Sequence, residues 1–222
     1  MRGGCAGGRS DETARPLSLS QLGFFGDGQR TLVDDETGRI LYVPAFVDTA
    51  TADRWFAVLR DNVAWKSEKR WMYDREVEVP RLVSSYRPFD EDSPERSRRA
   101  QDDRNVVGVL NEVLDRVTSF AKEPFNAIGL NFYRDARDSV APHNDHLYEI
   151  VAGHPIALVS LGATRAMTIR TKNKPRRVFD VDLENGSLLM MSYETQLHYD
   201  HGVPKSKTPV EPRISIALRV RP

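Results

Sequence analysis

The second half of the sequence consists of short apolar runs separated by turn residues. After residue 125 these runs are AIGLNFY, PIALVSL, AMTIR, VFDVDL, SLLMMS and ISIALRV, and none of them has a helical period. Many short strands at such close spacing are typical of a β sandwich or a β barrel. We therefore predict an α+β chain in which residues 126–222 form a mainly β core.

The first half of the sequence has a different pattern and predicts helices as well as extended runs. The runs 31–33 and 40–43 flank the turn residues 35–38, which predicts a hairpin. Three residues of the types that cap helices follow: Asp48, Thr49 and Thr51. Apolar residues at alternating spacings of three and four predict two helices, with Ala52, Phe56, Leu59 and Val63 in the first and Val106, Leu110, Val113, Val117 and Phe120 in the second. We expect a helix-rich first half followed by an all-β second half.

The composition changes along the chain and divides it into three parts. Residues 1–16 contain four glycines, three arginines and no aromatic residue, which predicts a disordered tail. The single cysteine, Cys5, lies in this tail and cannot form an internal disulfide. Residues 17–125 carry the predicted helices and a long polar loop. Because no clear linker separates them from residues 126–222, we expect both parts to form one domain.

The charge and the hydropathy of the chain limit its partners. With 32 basic and 32 acidic side chains, the net charge of zero gives no general argument for nucleic-acid binding. No stretch approaches the roughly 20 consecutive apolar residues of a membrane span, and the N-terminal residues lack the apolar segment of a signal peptide. We expect an intracellular protein without a membrane partner, cytoplasmic or, in a eukaryote, nuclear.

All five histidines fall between residues 143 and 201, and two of them have the spacing of metal ligands. On an extended segment, His143 and Asp145 point to the same side and can bind one ion. A second histidine from a distant strand, either His198 or His201, would complete two histidines and one carboxylate. That ligand set is used by non-haem Fe(II) oxygenases. The alternative is that His143 is an ordinary histidine of a surface loop.

Two arginines near the end of the chain can face the same way. Arg213 and Arg219 are six residues apart in PRISIALRV, an even number, so both point to one face of a regular strand. The planar guanidinium group donates two parallel hydrogen bonds to a carboxylate. Beside an Fe(II) ion, this pair suggests a dicarboxylic 2-oxo acid as co-substrate, although a solvated strand face is the alternative.

Taken together, these motifs resemble those of a known enzyme family. Residues 126–222 look like the catalytic core of the AlkB-type Fe(II)/2-oxoglutarate dioxygenases, which are oxidative nucleic-acid demethylases. The resemblance is carried by residues 131–135, 138–139 and 143–145 and by GSLLMM, HYDHGVP and PRISIALR, and VPRLVSSY extends it to roughly residues 40–222. It implies a double-stranded β-helix, or jelly roll, with N-terminal helices and a nucleotide-recognition lid within residues 17–125.

The resemblance also implies which residues form the site. The Fe(II) ligands would be His143, Asp145 and His201, with His201 preferred to His198 because it precedes Gly202-Val203-Pro204. The co-substrate would be 2-oxoglutarate, used with O2. Arg213 would bind its distal carboxylate and Arg219 would lie near its keto-acid end. The residues assigned to the co-substrate are Asn131, Tyr133, Arg213, Ser215 and Arg219, and those assigned to the nucleic acid are Trp71, Arg81, Tyr86 and Arg165.

The implied function is oxidative dealkylation of N-alkylated bases in DNA or RNA, with hydroxylation of the alkyl carbon and release of an aldehyde. A base inside a duplex cannot reach such a site, so the target must be single-stranded or flipped. One departure concerns Leu147, which replaces an acidic residue that the family usually has. A hydroxylase or demethylase of a protein or small molecule, and a binding module with an inactive site, remain alternatives. We expect a monomer with alkylated nucleic acid as its partner.

A local basic segment supports the nucleic-acid interpretation. Residues 165–177 contain six basic side chains and no acidic one, so a hairpin there could hold phosphates. A solvated hairpin tip explains the same charges equally well. Trp71 and Tyr86 could stack on a base, or could pack against the core instead.

Overall fold

The computed structural model describes residues 28–72, 74–87 and 103–222. The predicted tail with Cys5 and the polar loop 88–102 lie outside the described residues. The helices are α1 Thr49–Asn62, α2 Asp103–Ala121 and the single turn α3 Thr195–His198. The strands are β1 Arg30–Asp35, β2 Gly38–Val43, β3 Lys66–Met72, β4 Arg75–Tyr86, β5 Ala127–Tyr133, β6 Val140–His143, β7 Ile156–Gly162, β8 Arg165–Thr171, β9 Val178–Leu183, β10 Ser187–Met191, β11 Tyr199–Val203 and β12 Arg213–Arg219.

The described strands form two antiparallel sheets. The larger sheet has eight strands in the order β1-β2-β10-β7-β12-β5-β4-β3, and the smaller has the order β6-β11-β8-β9. All six apolar runs of the second half are strands, as predicted, and β12 lies between β5 and β7. This arrangement confirms the predicted α+β jelly-roll fold with N-terminal helices. The short strands β6 and β11 have too few apolar residues to be recognised from the sequence.

The larger sheet has a separate apolar core on each face. On one face, α1 and α2 pack through Trp55, Leu59 and Leu110 against alternate residues of β5, β7 and β12. On the other face, the smaller sheet packs against the intervening residues, among them Tyr133 and Leu158. Because side chains alternate along a strand, odd-numbered residues of β5 and β12 point between the two sheets.

Both long helices are confirmed, with small changes in their buried faces. Asp48 caps α1 by accepting from the backbone N–H of Thr51, as the sequence indicated. Trp55 is fully buried, whereas the predicted Phe56 is only partly so. In α2 the predicted Phe120 is 41% exposed at the end of the helix.

The expectation of a helix-rich first half is correct only in part. That half also supplies β1–β4, four of the eight strands of the larger sheet. The hairpin of β1 and β2 was predicted, but these strands pair through β2 with β10 of the second half. The twelve-residue strand β4 likewise pairs with β5. In the part of the chain that the structure describes, no helix combines the length and the apolar character that a membrane span requires.

Candidate active site

The three predicted metal ligands lie together at one end of the smaller sheet. His143 ends β6 and stands directly opposite His201 of β11, and Asp145 follows two residues after β6. The two imidazole centroids are 4.7 Å apart, and the ligand atoms of all three side chains lie within 4.8 Å of one another. His198 is at the end of α3 and outside this cluster. Strand pairing therefore selects the histidine that the spacing alone left open.

A hydrogen bond to the backbone orients His143, the more exposed of the two histidines. The Nδ1 atom of His143 is 2.9 Å from the carbonyl oxygen of Ala141. A carbonyl can only accept, so Nδ1 carries the proton and Nε2 is left as the metal-ligand atom. The Nε2 atom lies 3.9 Å from Oδ1 of Asp145. The ring is 42% exposed, which places solvent on this side of the centre.

The carboxylate of Asp145 is held by Arg219 through one oxygen. Nε and Nη2 of Arg219 lie 2.7 Å and 2.6 Å from Oδ2, which leaves Oδ1 turned toward the histidines. Burial is the largest single influence on Asp145 and raises its pKa, but the charge and hydrogen bond of Arg219, together with the two neighbouring histidines, outweigh burial and the net pKa is lowered. Gly129 makes room for this arginine, because a Cβ there would lie 3.2 Å from its Nη1 atom.

The inner histidine is neutral at physiological pH. His201 is 6% exposed, and burial, together with the neighbouring His143, lowers its pKa to about 4. A metal ion binds the neutral imidazole, so no proton has to be displaced from this ligand near pH 7. Two imidazoles and one carboxylate on one side of a point can hold a divalent ion and leave other coordination positions open.

A second polar site lies between the sheets at the start of β12. Arg213 is fully buried opposite Tyr133, with its guanidinium carbon 5.2 Å from the ring centre. Its Nη2 atom donates to the hydroxyl of Ser160, 2.8 Å away. Its Nε and Nη1 atoms have no hydrogen-bond partner within the described residues. A buried cation with two free donors fits a carboxylate ligand, because unsatisfied buried donors are costly.

The residue pattern around these two sites matches a known family. A family model described as the 2OG-Fe(II) oxygenase superfamily matches residues 39–219. The chain belongs to the 2OG-Fe(II) oxygenase superfamily. The matched residues include the three candidate metal ligands, the buried Arg213 and all three helices.

Curated relatives place this oxygenase near the AlkB-type members of the superfamily. It is 37% identical over 120 residues to the DNA oxidative demethylase ALKBH2 of Bos taurus, which covers 51% of this chain and 43% of the relative. It is 31% identical over 191 residues to the alpha-ketoglutarate-dependent dioxygenase alkB homolog 3 of Mus musculus, which covers 82% of this chain and 65% of the relative. The matched part is about half the length of the ALKBH2 relative. The AlkB-like resemblance predicted from the sequence is confirmed.

Other residues that the sequence assigned to the co-substrate line the same inner face of the oxygenase. Ser215 is 4% exposed and pairs with Asn131 on one side and with Ser160 on the other. The side-chain oxygen of Asn131 accepts from Nε of Arg81, 2.7 Å away. Arg81, which was predicted to bind nucleic acid, therefore contacts Asn131, one of the residues assigned to the co-substrate. The roles of these residues, and that of Arg219 near the keto-acid end, stay predictions.

The remaining residues assigned to the nucleic acid are in varied positions. Arg165 is 4% exposed and donates to the backbone carbonyls of Asp135, Asp138 and Pro204, so it joins two loops of the oxygenase. Tyr86 ends β4 and is partly exposed. Trp71 lies in β3 opposite Glu76, and its side chain is outside the described residues. Their contact with nucleic acid stays a prediction.

Much of the basic charge in residues 165–177 is paired within the oxygenase. Besides Arg165, three of its basic side chains contact other groups: Arg170 contacts Asp200, Lys172 donates to the carbonyl of Gln196, and Arg177 donates to Asp35 and Tyr199. Lys174 and Arg176 are exposed and have no partner among the described residues. The number of cations that remain for phosphates is therefore smaller than the sequence suggests.

Sequence reasoning missed two residues of the site. Gln196 of α3 is 1% exposed, and its side-chain oxygen accepts from the backbone N–H of Asp145, 3.0 Å away. Ser160 is buried in β7 and accepts from Arg213. The serine is a polar residue in the apolar run PIALVSL, and that contrast is a signal from which it could have been found. Gln196 has no comparable signal in its surroundings.

The segment after Asp145 explains the departure at Leu147. Residues Leu147–Glu149 form one 3-10 turn, and Leu147 packs against the core between the sheets. The carboxylate of Glu149 accepts from Nη2 of Arg221, 2.6 Å away. Glu149 therefore does not offer a free carboxylate in place of the acidic residue that Leu147 replaces.

Proposed function

We propose that the chain is an Fe(II)/2-oxoglutarate-dependent oxygenase that dealkylates N-alkylated bases in DNA or RNA. The observation that carries the proposal is the combination of two sites. Three ligand atoms lie within 4.8 Å of one another, and a fully buried arginine with two free donors faces the same space between the sheets. The names of the relatives, a DNA oxidative demethylase among them, support the nucleic-acid substrate.

Each residue of the proposed site has a defined task. Fe(II), when bound, supplies the activation of O2 that hydroxylation with 2-oxoglutarate requires. His143, Asp145 and His201 would hold the ion, and Arg219 keeps the carboxylate ionised and oriented. Arg213 would bind the distal carboxylate of 2-oxoglutarate through its two free nitrogens. These residues thereby fix the positions of the ion and of 2-oxoglutarate relative to each other. The residues that position the alkyl carbon of the substrate belong to a separate part of the site.

The decisive measurement is nucleoside mass spectrometry on methylated DNA and RNA treated with Fe(II), 2-oxoglutarate and O2. We expect loss of one methyl mark with succinate formed in equal amount, and no loss with His143→Ala. Of the two distal candidates, His201→Ala should abolish turnover and His198→Ala should retain it. Equal loss in these two variants would contradict the assignment of the distal ligand.

The free basic side chains of the β8–β9 connection are proposed to contact phosphates. Replacing Lys174 and Arg176 by alanine should weaken nucleic-acid binding and lower the slope of affinity against salt by about 1 per lost contact. Lys122→Asn is a suitable control, because this exposed residue at the end of α2 has a φ of 58°, which asparagine tolerates. An unchanged salt slope in the double variant would exclude phosphate binding at this connection.

A second candidate function is hydroxylation of a protein or a small molecule. It is favoured by Leu147, which packs against the core, and by Glu149, which is held by Arg221. Succinate formation without loss of any base mark would support it. An enzyme acting on nucleic acid would work in the cytoplasm or the nucleus, and we propose that it does so as a monomer, which sedimentation of the intact chain can test.

A further inference from the structure

An exposed aromatic pair follows the metal ligand Asp145. The rings of His146 and Tyr148 stack with centroids 5.3 Å apart and an interplanar angle of 24°. Tyr148 is 78% exposed, more than any other large hydrophobic side chain in the described part of the chain. A tyrosine in such a position gains little from packing, since it leaves most of its apolar ring in water.

The backbone that carries the pair is fixed on both sides of the tyrosine. Leu147 packs against the core between the sheets, and Glu149 is bonded to Arg221. The N–H of Glu149 also donates to the carbonyl of His146, 2.9 Å away. The neighbours of Tyr148 are thus anchored while its own ring points outward. A ring held in this way loses little conformational entropy when a ligand binds to it.

The aromatic pair lies close in sequence to the candidate metal ligand Asp145. His146 and Tyr148 come one and three residues after Asp145, on the chain segment whose start is held by Gln196. The exposed edge of His143 shows that solvent reaches the metal centre near this segment. Because Glu149 is occupied by Arg221, this segment offers ring faces to a substrate and no free carboxylate.

We propose that the stacked pair of His146 and Tyr148 binds an unpaired nucleobase next to the alkylated one. Aromatic side chains bind single-stranded nucleic acid by stacking, and every base has a face that can take part. Bases within a duplex have both faces covered by their neighbours, so the pair selects single-stranded or locally opened substrates. This inference rests on the proposed function and adds a binding position to it.

The test compares Tyr148→Ala and Tyr148→Phe with the unchanged chain on methylated single-stranded oligonucleotides of DNA and of RNA. For Tyr148→Ala we expect KM to rise about 5- to 150-fold, which corresponds to about 1–3 kcal/mol, with kcat changed less than twofold. Tyr148→Phe keeps the ring and should keep the KM. The two nucleic acids should respond alike, because the base faces are common to both.

Two controls separate this contact from other effects. Phe120→Ala removes another exposed ring, on α2 at the opposite face of the larger sheet, and should leave KM unchanged. A methylated mononucleotide has no neighbouring base, so its turnover should be the same with and without the Tyr148 ring.

Each contrary result has a distinct meaning. An unchanged KM for Tyr148→Ala overturns the stacking contact and leaves the proposed function intact. A loss in Tyr148→Phe equal to that in the alanine variant, or an effect confined to DNA or to RNA, overturns the ring face as the binding group. An equal loss on the mononucleotide overturns the neighbouring base as its ligand. Absence of demethylation by the unchanged chain on every oligonucleotide overturns the proposed function and the inference with it.

Discussion

Replacement of Arg213 by methionine should abolish 2-oxoglutarate binding and stabilise the ligand-free protein. Arg213 is fully buried, and its Nε and Nη1 atoms have no partner among the described residues. Each unsatisfied buried donor costs about 1–3 kcal/mol, so the two oppose folding by about 2–6 kcal/mol. The bond to Ser160 and the ring of Tyr133 offset about 1–3 kcal/mol of this. We therefore expect the free energy of unfolding to rise by about 1–3 kcal/mol in Arg213→Met.

The assay is thermal unfolding of the Co(II)-loaded protein without O2, with and without 2-oxoglutarate. A ligand at 100 times its Kd stabilises a protein by about 2.7 kcal/mol. For a chain of 222 residues, this corresponds to a rise in Tm of about 5–11 °C. In Arg213→Met the rise caused by 2-oxoglutarate should disappear, whereas the rise caused by Co(II) should remain. The ligand control is 2-oxobutyrate, which lacks the distal carboxylate and should affect both proteins equally.

The matched control is Arg165→Met, for which the opposite sign is expected. Arg165 is also nearly fully buried, but its terminal nitrogens donate to three backbone carbonyls. Hydrogen bonds to charged groups contribute about 1.5–3 kcal/mol each, so losing all three should lower the free energy of unfolding by about 4.5 kcal/mol or more. Equal destabilisation in both variants, or an unchanged response of Arg213→Met to 2-oxoglutarate, would refute the reasoning.

Two further predictions concern residues that hold the site in place. Asp138 is buried; burial raises its pKa, but bonds from Arg134 outweigh this and the net pKa is lowered. Asp138→Asn should therefore lose about 1–3 kcal/mol of stability at pH 7. Urea unfolding should show this loss shrinking below about pH 5, where Asp138 of the unfolded chain begins to take up a proton, and disappearing as the pH falls through the lower pKa of the native carboxyl. Gln196→Leu removes the acceptor of the Asp145 N–H and should weaken Co(II) binding about 10- to 100-fold in a spectroscopic titration, while Gln196→Glu, which keeps an acceptor, should bind Co(II) more tightly than the leucine variant.

The β core and the metal centre could be predicted from the sequence because local patterns specify them. Apolar runs bounded by turn residues correspond to strands. His143 and Asp145, two residues apart, bring their ligand atoms close together, as their spacing predicted. The spacing alone left both His198 and His201 open, and the family resemblance preferred His201. The pairing of β6 with β11 supplies the physical reason, because it places His201 opposite His143. The position of Gln196 could not be predicted, because its bond to Asp145 joins residues 51 positions apart.

The number of unpaired basic side chains in residues 165–177 could not be predicted either. Six basic residues between 165 and 177 look equivalent in the sequence, and only the fold distinguishes them. Arg170 meets Asp200 and Arg177 meets Asp35 across strands that are distant in the chain. Lys174 and Arg176 remain exposed in the connection between β8 and β9. Charge counted along a sequence therefore gives an upper limit to the charge that a partner can meet.

The proposed 2-oxoglutarate site and the proposed base-binding pair differ in how clearly the sequence indicates them, and the cost of burying a charge explains why. An arginine at the start of a buried strand is unfavourable unless something pairs with it, so Arg213 signals a ligand in the sequence as well as in the structure. An exposed tyrosine costs little, so Tyr148 in the sequence gives no comparable signal. Only its stack with His146 and the anchoring of its neighbours distinguish it from an ordinary surface residue. The binding of 2-oxoglutarate accordingly depends on buried residues such as Arg213. The choice of substrate depends on exposed side chains near the metal ligands, such as Tyr148.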